Sequence, residues 1–402
     1  MRILLSIFCC VLLCGFGEAA DQVQGNNAFA LDLYKTLKDK QSGNLFFSPY
    51  SISSAVAMTS VGAKEETKSE IDSVFHFDSN PHMLAGSFAR INESMNTVQG
   101  TPEEFPQLYL ANRIWMQVET PFEIDFVDTL DREFKSGIDA LNFEENPEDS
   151  RQELNRWVAE NTRGKIQDLF PAGSIHEGTR LVLASAIYLS APWKMQFDKS
   201  NTTHEMFYLE NDNMTLVEMM NTTSFFNFFN NEELALLELP YGLEKGGESN
   251  LAMMVLLPKQ VDGLAQIEQT LTPDALNTWM ESMTIQDVQV RLPKFQMSQD
   301  LSLVETLDGM GMHQAFTSAA DFSGITGSRD IAIDNILHKA YIGVDEAGTE
   351  AAAATGVTVM LTSLIESPDE DPYYFLADHP FLFLIVDRNT SSILFMGRYA
   401  SP

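Results

Sequence analysis

The sequence predicts an α+β fold. Three features of it lead there. Apolar residues recur at helical spacing near the N-terminus, placing Phe29, Leu33 and Leu37 on one face of residues 27–38. Two apolar runs, residues 336–342 and 381–386, have the length and composition of buried strands. Between those runs, residues 343–372 carry opposed local preferences, since Glu350 followed by Ala351, Ala352, Ala353 and Ala354 favours a helix while Val357-Thr358-Val359 favours a strand. Such a conflict marks a functional or switching segment.

From the start of the chain, Met1-Arg2 leads into an apolar run over residues 3–13, too short to span a bilayer, and Gly17-Glu18-Ala19 supplies a small-x-small cleavage signal. A secretory signal peptide over residues 1–19 is expected, with export to an extracellular space, or to the periplasm if the source is Gram-negative. A lipid anchor on Cys14 is the weaker alternative, because Leu13 stands where a small residue is expected. All three cysteines (Cys9, Cys10, Cys14) lie in this segment, so the mature chain has neither disulfide nor thiol chemistry.

Residues 20–402 show no linker, repeat or low-complexity run and read as a single domain. The net charge of −32 argues against nucleic acid and against anionic membrane or polysaccharide surfaces as partners, so activation of the heparin type is not expected. There is no Gly-x-Ser-x-Gly elbow, no His-Glu-x-x-His and no dinucleotide fingerprint, and the seven histidines show no ligand spacing. Neither catalysis by the chain's own residues nor a cofactor or metal is expected.

Gly43-Asn44 turns the chain into Leu45-Phe46-Phe47, and Ser48 then caps a second helix with Pro49 at its first position and Gly62 suited to its end. Residues 62–69 fall one residue short of a phosphate-binding loop, with Thr67 in place of the second glycine and no strand leading in. Five Asn-x-Ser/Thr sequons start at Asn92, Asn201, Asn213, Asn221 and Asn389 and matter only in a source that glycosylates.

With period two, one face of the later segment is Thr349, Ala351, Ala353, Thr355, Val357 and Val359. That face is small, then β-branched, and uncharged, as a strand must be to slide between two strands already in place. A helical turn followed by a polar loop is the competing reading of these residues alone.

Glu346-Ala347-Gly348-Thr349-Glu350 with the alanine run, preceded by His338-Lys339-Ala340 and followed by residues 377–383, closely resembles the mobile reactive loop of the serpins. Further matches are Phe46-Phe47-Ser48-Pro49-x-Ser51, Leu110-Ala111-Asn112-Arg113-Ile114-Trp115, Leu154-Asn155-x-Trp157-Val158, Glu238-Leu239-Pro240-Tyr241 and Leu292-Pro293-Lys294-Phe295. The resemblance runs from Asn27 to the C-terminus. It implies three β-sheets, about eight to nine helices and an exposed reactive loop near residues 346–375.

The resemblance also implies roles. Ser48, Ser51 and His338 belong to a polar cluster beneath the opening strands, joined here by Ser185 where the family usually has Asn. The shorter Ser185 leaves open whether that cluster closes directly or through a water. Trp193 marks the breach where the loop enters, although Leu189-Ser190-Ala191 replaces the usual aromatic-Lys-Gly before it. Lys294 and Glu346 are expected to pair at the loop base. The hinge comprises Glu346, Gly348, Thr349, Glu350, Ala351, Ala352, Ala353, Ala354 and Thr355. Counting seventeen residues from Glu346 puts the reactive bond at Thr362–Ser363, with Met360 and Leu361 as alternatives because the loop beyond the cut is long.

The function implied is that of a monomeric suicide-substrate inhibitor of serine, or cysteine, proteases. A storage, carrier or chaperone protein of the same fold is the alternative, and the small hinge residues favour the inhibitor. No Lys or Arg lies between Lys339 and Arg388, so proteases with an acidic specificity pocket are excluded and partners with apolar or small pockets are expected.

Overall fold

The computed structural model describes residues 22–96, 106–209, 213–243, 247–349 and 371–402. The expected signal peptide, hinge residues Glu350–Thr355 and the reactive-bond residues Met360, Leu361, Thr362 and Ser363 lie outside them.

Helix α1 (22–38) buries Phe29, Leu33 and Leu37, and also Ala30, Leu31 and Tyr34, so almost its whole circumference faces protein. Strand β1 (Leu45–Phe47) leads to α2 (Pro49–Ser60), every residue of which is buried. Ser48 caps α2 by accepting the Ser51 amide hydrogen at its hydroxyl. The helix ends where Gly62 is expected to suit it, with Val61 as its C-cap residue, and a Cβ on Gly62 would in addition lie 2.3 Å from Ile325 Cγ1. Close approach of two chain segments requires that glycine.

There follow α3 (Glu65–Phe75), α4 (Pro81–Asn96), β2 (Gln107–Gln117), α5 (Ile124–Thr129), β3 (Ile138–Leu141), α6 (Pro147–Asn161) and β4 (Leu181–Pro192). The next stretch is mostly strand: β5 (Thr203–Tyr208), β6 (Met214–Asn230), β7 (Leu234–Leu243) and β8 (Gly247–Pro258), then α7 (Leu264–Thr270) and α8 (Pro273–Glu281). The remainder is β9 (Thr284–Pro293), β10 (Phe295–Ser302), α9 (Val304–Met310), α10 (Ser323–Thr326), β11 (Asn335–Val344), β12 (Gly348–Thr349), β13 (Tyr373–Leu376), β14 (Phe381–Asp387) and β15 (Ser392–Tyr399). Ten α-helices thus occur among the described residues, slightly more than the resemblance implies, because α5 and α10 run only six and four residues.

Two hydrogen-bonded networks form. One has six strands in the order β10-β11-β12-β4-β2-β3. The other has nine, so the described residues form two continuous sheets where the resemblance implies three, because one long strand runs through both parts of the larger one. The 17-residue β6 joins them: its first residues pair with β5, its middle with β9 and its last three with β7. Strands β14 and β15 are buried at every residue, which is why residues 381–386 of β14 read as a continuous apolar run.

The six-stranded sheet has two different faces. Odd-numbered residues of β4, from Leu181 to Ala191, pack into the main core around α2, while Val182, Ala184 and Ala186 pack with Leu154 and Val158 of α6 in a second core. Side-chain period two divides one strand between both cores.

Candidate functional site

The site is the open end of a seam in the six-stranded sheet. Strands β4 and β11 pair directly and in parallel from Asn335 opposite Val182 to Tyr341 opposite Tyr188. Above that rung they part. Gly348 and Thr349 stand between them as β12, with Thr349 opposite both Val344 and Ala191.

This entry is tightly built. A Cβ on Gly348 would meet the Ala191 carbonyl oxygen at 2.2 Å, so only glycine lets the backbone approach β4 so closely. Thr349 is fully buried, and its hydroxyl lies 2.7 Å from the Tyr241 hydroxyl. Tyr241 stacks on Trp193 with ring centroids 4.7 Å apart and planes 8° from parallel. Trp193 donates from its backbone amide to Ala347 O (2.9 Å) and from Nε1 to Asp345 O (2.8 Å).

At the loop base, Lys294 Nζ lies 3.3 Å from Glu346 Oε2, and Thr202 donates its hydroxyl to Glu346 Oε1 at 2.8 Å. Burial by itself would raise the Glu346 carboxyl. Hydrogen bonds from its own amide, Thr202 and Lys294, with the Lys294 charge, outweigh that and hold it below the usual carboxylate range.

The polar cluster crosses the seam at the rung of His338 opposite Ser185. The Ser48 amide donates to His338 Nε2 at 3.0 Å, so the imidazole is neutral with its hydrogen on Nδ1. Nδ1 faces both Ser185 Oγ and Ser185 O at 3.1 Å. Ser185 Oγ lies 2.9 Å from Ser51 Oγ, and Ser51 Oγ donates to Asn112 Oδ1 at 2.9 Å. The cluster therefore closes by direct contacts. Asn112 of β2 brings the amide that Ser185 lacks, and it also donates from Nδ2 to Ser51 O at 2.8 Å.

Burial holds the His338 pKa at about 3, against a weaker upward pull from the Ser185 carbonyl. In the unfolded chain the pKa returns to about 6.5. The folded value is depressed, so the unfolded state binds the proton first as pH falls. The contribution is complete above about pH 6.5 and declines from there toward pH 3. Going from pH 7 to pH 5 is expected to cost about 2 kcal/mol, read as a lower urea midpoint. His338→Asn should flatten that difference; an equal difference in the variant would place the acid sensitivity elsewhere.

Three residues of the site are not singled out by the sequence. Asn112 and Tyr241 appear there only inside longer motifs. Thr202 carries no local signal at all, because its partner Glu346 is 144 residues away. Among the described residues no group of three or more His, Cys, Asp or Glu is placed to hold a metal ion.

The site is thus a two-residue inner strand at one end of a parallel seam, above a buried polar cluster that crosses the same seam. The family model described as "Serpin (serine protease inhibitor)" matches residues 24–402, and the chain belongs to the serpin family. It is 36% identical over 395 residues to human Serpin B4, covering 94% of this chain and 99% of that protein. Leukocyte elastase inhibitor A of Rattus norvegicus is 37% identical over 387 residues, covering 94% of this chain and 98% of the relative. Among solved structures, uncleaved ovalbumin matches with a TM-score of 0.83 at 29% identity, covering 94% of this chain and 99% of that one.

Proposed function

We propose that this serpin is a suicide-substrate inhibitor of serine proteases with apolar or small specificity pockets, and that it traps the acyl-enzyme while its cleaved loop enters the β4–β11 seam. The observation that carries this reading is Gly348–Thr349, already a strand between β4 and β11. Each further inserted residue steps one position back along both neighbours. Ala352 then falls between Tyr188 and Tyr341, Thr355 between Ser185 and His338, and Thr358 between Val182 and Asn335.

On insertion, this register would turn Ala351, Ala353, Thr355, Val357 and Val359 toward the same side as the buried Thr349 and would put a hydroxyl at the rung of the polar cluster. The bed ends at Leu181 of β4, opposite Val359. A cut at Thr362–Ser363, Leu361 or Met360 would leave at most a few residues beyond it. The chain's own residues supply binding, release and burial; the protease supplies the nucleophile.

Relatives named for leukocyte elastase inhibition support an elastase-like target. A covalent complex stable on a denaturing gel is expected with elastase or chymotrypsin and none with trypsin, whose acidic pocket would be left unpaired. Mass spectrometry of the released N-terminus locates the bond. Trapping of trypsin but of neither apolar protease would overturn the assignment. We further propose that residues 1–19 are removed on export and that the protein acts as a monomer, the net charge of −32 arguing against a polyanionic activator.

A further inference from the structure

The loop after α6 crosses the seam at one particular rung. Tyr109 of β2, Tyr188 of β4 and Tyr341 of β11 lie side by side in one row across the sheet. Tyr109 and Tyr188 stack with centroids 5.6 Å apart. Over this row sit two cations. Arg163 lies 4.6 Å above the Tyr109 ring, whereas Lys165 Nζ is 6.0 Å from the Tyr188 ring and 5.7 Å from the Tyr341 ring. Of the two, it is Lys165 that spans the seam.

The turn that presents these cations is held in place. Arg163 and Gly164 both take left-handed backbone angles (φ +51° and +73°), a conformation that a non-glycine residue adopts at a cost. Gly164 N–H donates to Ala159 O (2.7 Å), and Ile166, buried in the second core, donates its amide to Thr162 Oγ1. Asn155 of α6 bonds both backbone groups of Phe170. Ion and rings therefore meet as an ordered contact between anchored segments.

Tyr188–Tyr341 is the last directly paired rung below β12, so it is the first that must part if the loop inserts. Parting doubles the strand spacing there to about 9.6 Å and puts Ala352 between the rings. Lys165 cannot keep its present seat over both. We propose that Lys165, seated on Tyr188 and Tyr341, is a clasp that sets the rate of sheet opening and so the balance between trapping a protease and releasing it. This rests on the insertion reading above. Arg163 covers only Tyr109, away from the seam, and steadies the row without closing it.

The test uses a probe that needs no protease. A synthetic acetylated peptide with the sequence of residues 349–360 is incubated with the intact full-length protein, and its annealing into the sheet is followed by native gel and by melting temperature. Lys165→Ala should anneal about three- to tenfold faster, as expected when one exposed cation leaves two rings. Lys165→Arg should stay within about twofold of wild type, because a guanidinium occupies the same seat. Arg163→Ala should also stay within about twofold, and Tyr341→Ala should match Lys165→Ala from the other side of the contact. A Lys165→Ala rate equal to wild type, or a Lys165→Arg rate equal to that of Lys165→Ala, overturns the clasp. A shifted urea midpoint without a changed annealing rate would make Lys165 merely structural and overturns it too. Wild-type protein that neither anneals peptide nor gains stability on loop cleavage refutes insertion itself, which is a separate result.

Discussion

Cleaving the chain within residues 350–370 is expected to raise the melting temperature by about 5–10 °C. Opening the seam gives up one hydrogen-bonded ladder between β4 and β11 and forms two, one on each side of the new strand. Ordering each residue costs about 1–2 kcal/mol of backbone entropy, and each net hydrogen bond returns about 0.5–1.5 kcal/mol, so these terms nearly offset. The surplus comes from Val357 and Val359, whose burial contributes about 1.5–3 kcal/mol each. For a chain longer than about 250 residues, that converts to somewhat under the roughly 2–4 °C per kcal/mol of smaller domains. The intact protein would then persist through its barrier to opening rather than through its depth in free energy. Scanning calorimetry of intact and nicked samples gives the comparison. Equal midpoints would refute insertion and favour a storage, carrier or chaperone role for the same fold.

On the proposed mechanism, Thr349→Arg is expected to turn trapping of the protease into simple cleavage of the loop. Thr349 is already fully buried between β4 and β11, with its hydroxyl on Tyr241. An arginine there would have to bury a guanidinium against Tyr241 and Trp193, and Glu346, the nearest preceding acid in the chain, is already engaged by Lys294 and Thr202. An unpaired buried charge costs about 3–5 kcal/mol, so the variant releases β12 from the seam, and re-seating it ahead of further insertion is slowed by roughly a hundredfold or more. Deacylation would then finish before the sheet opens. Gels should show the cleaved chain accumulating with active protease and no covalent band. A stable complex at wild-type stoichiometry would show that the first inserted rung does not control trapping.

Much of this was legible without coordinates, for identifiable reasons. Helix and strand periods record which side chains face inward, so α1, α2, β11 and β14 follow from local pattern. A buried strand leaves a continuous apolar run whatever its neighbours are, as at residues 381–386. The missing bases between Lys339 and Arg388 are a property of composition, and on the proposed inhibitory reading they argue against targets with an acidic specificity pocket.

What the sequence alone determined is therefore the class of the strongly patterned elements, the small uncharged face of residues 349–359, and the absence of a basic residue between Lys339 and Arg388. What only the tertiary structure decided is which residues share a rung. The tautomer of His338, the recruitment of Asn112 beside the shorter Ser185, the contact of the Tyr241 hydroxyl with Thr349, and the seat of Lys165 across Tyr188 and Tyr341 all depend on register between segments as much as 290 residues apart. Register is set by long-range pairing, and a one-residue slip would send every one of these side chains to the opposite face. Local preference holds no record of it, because either face of a strand satisfies the backbone equally well.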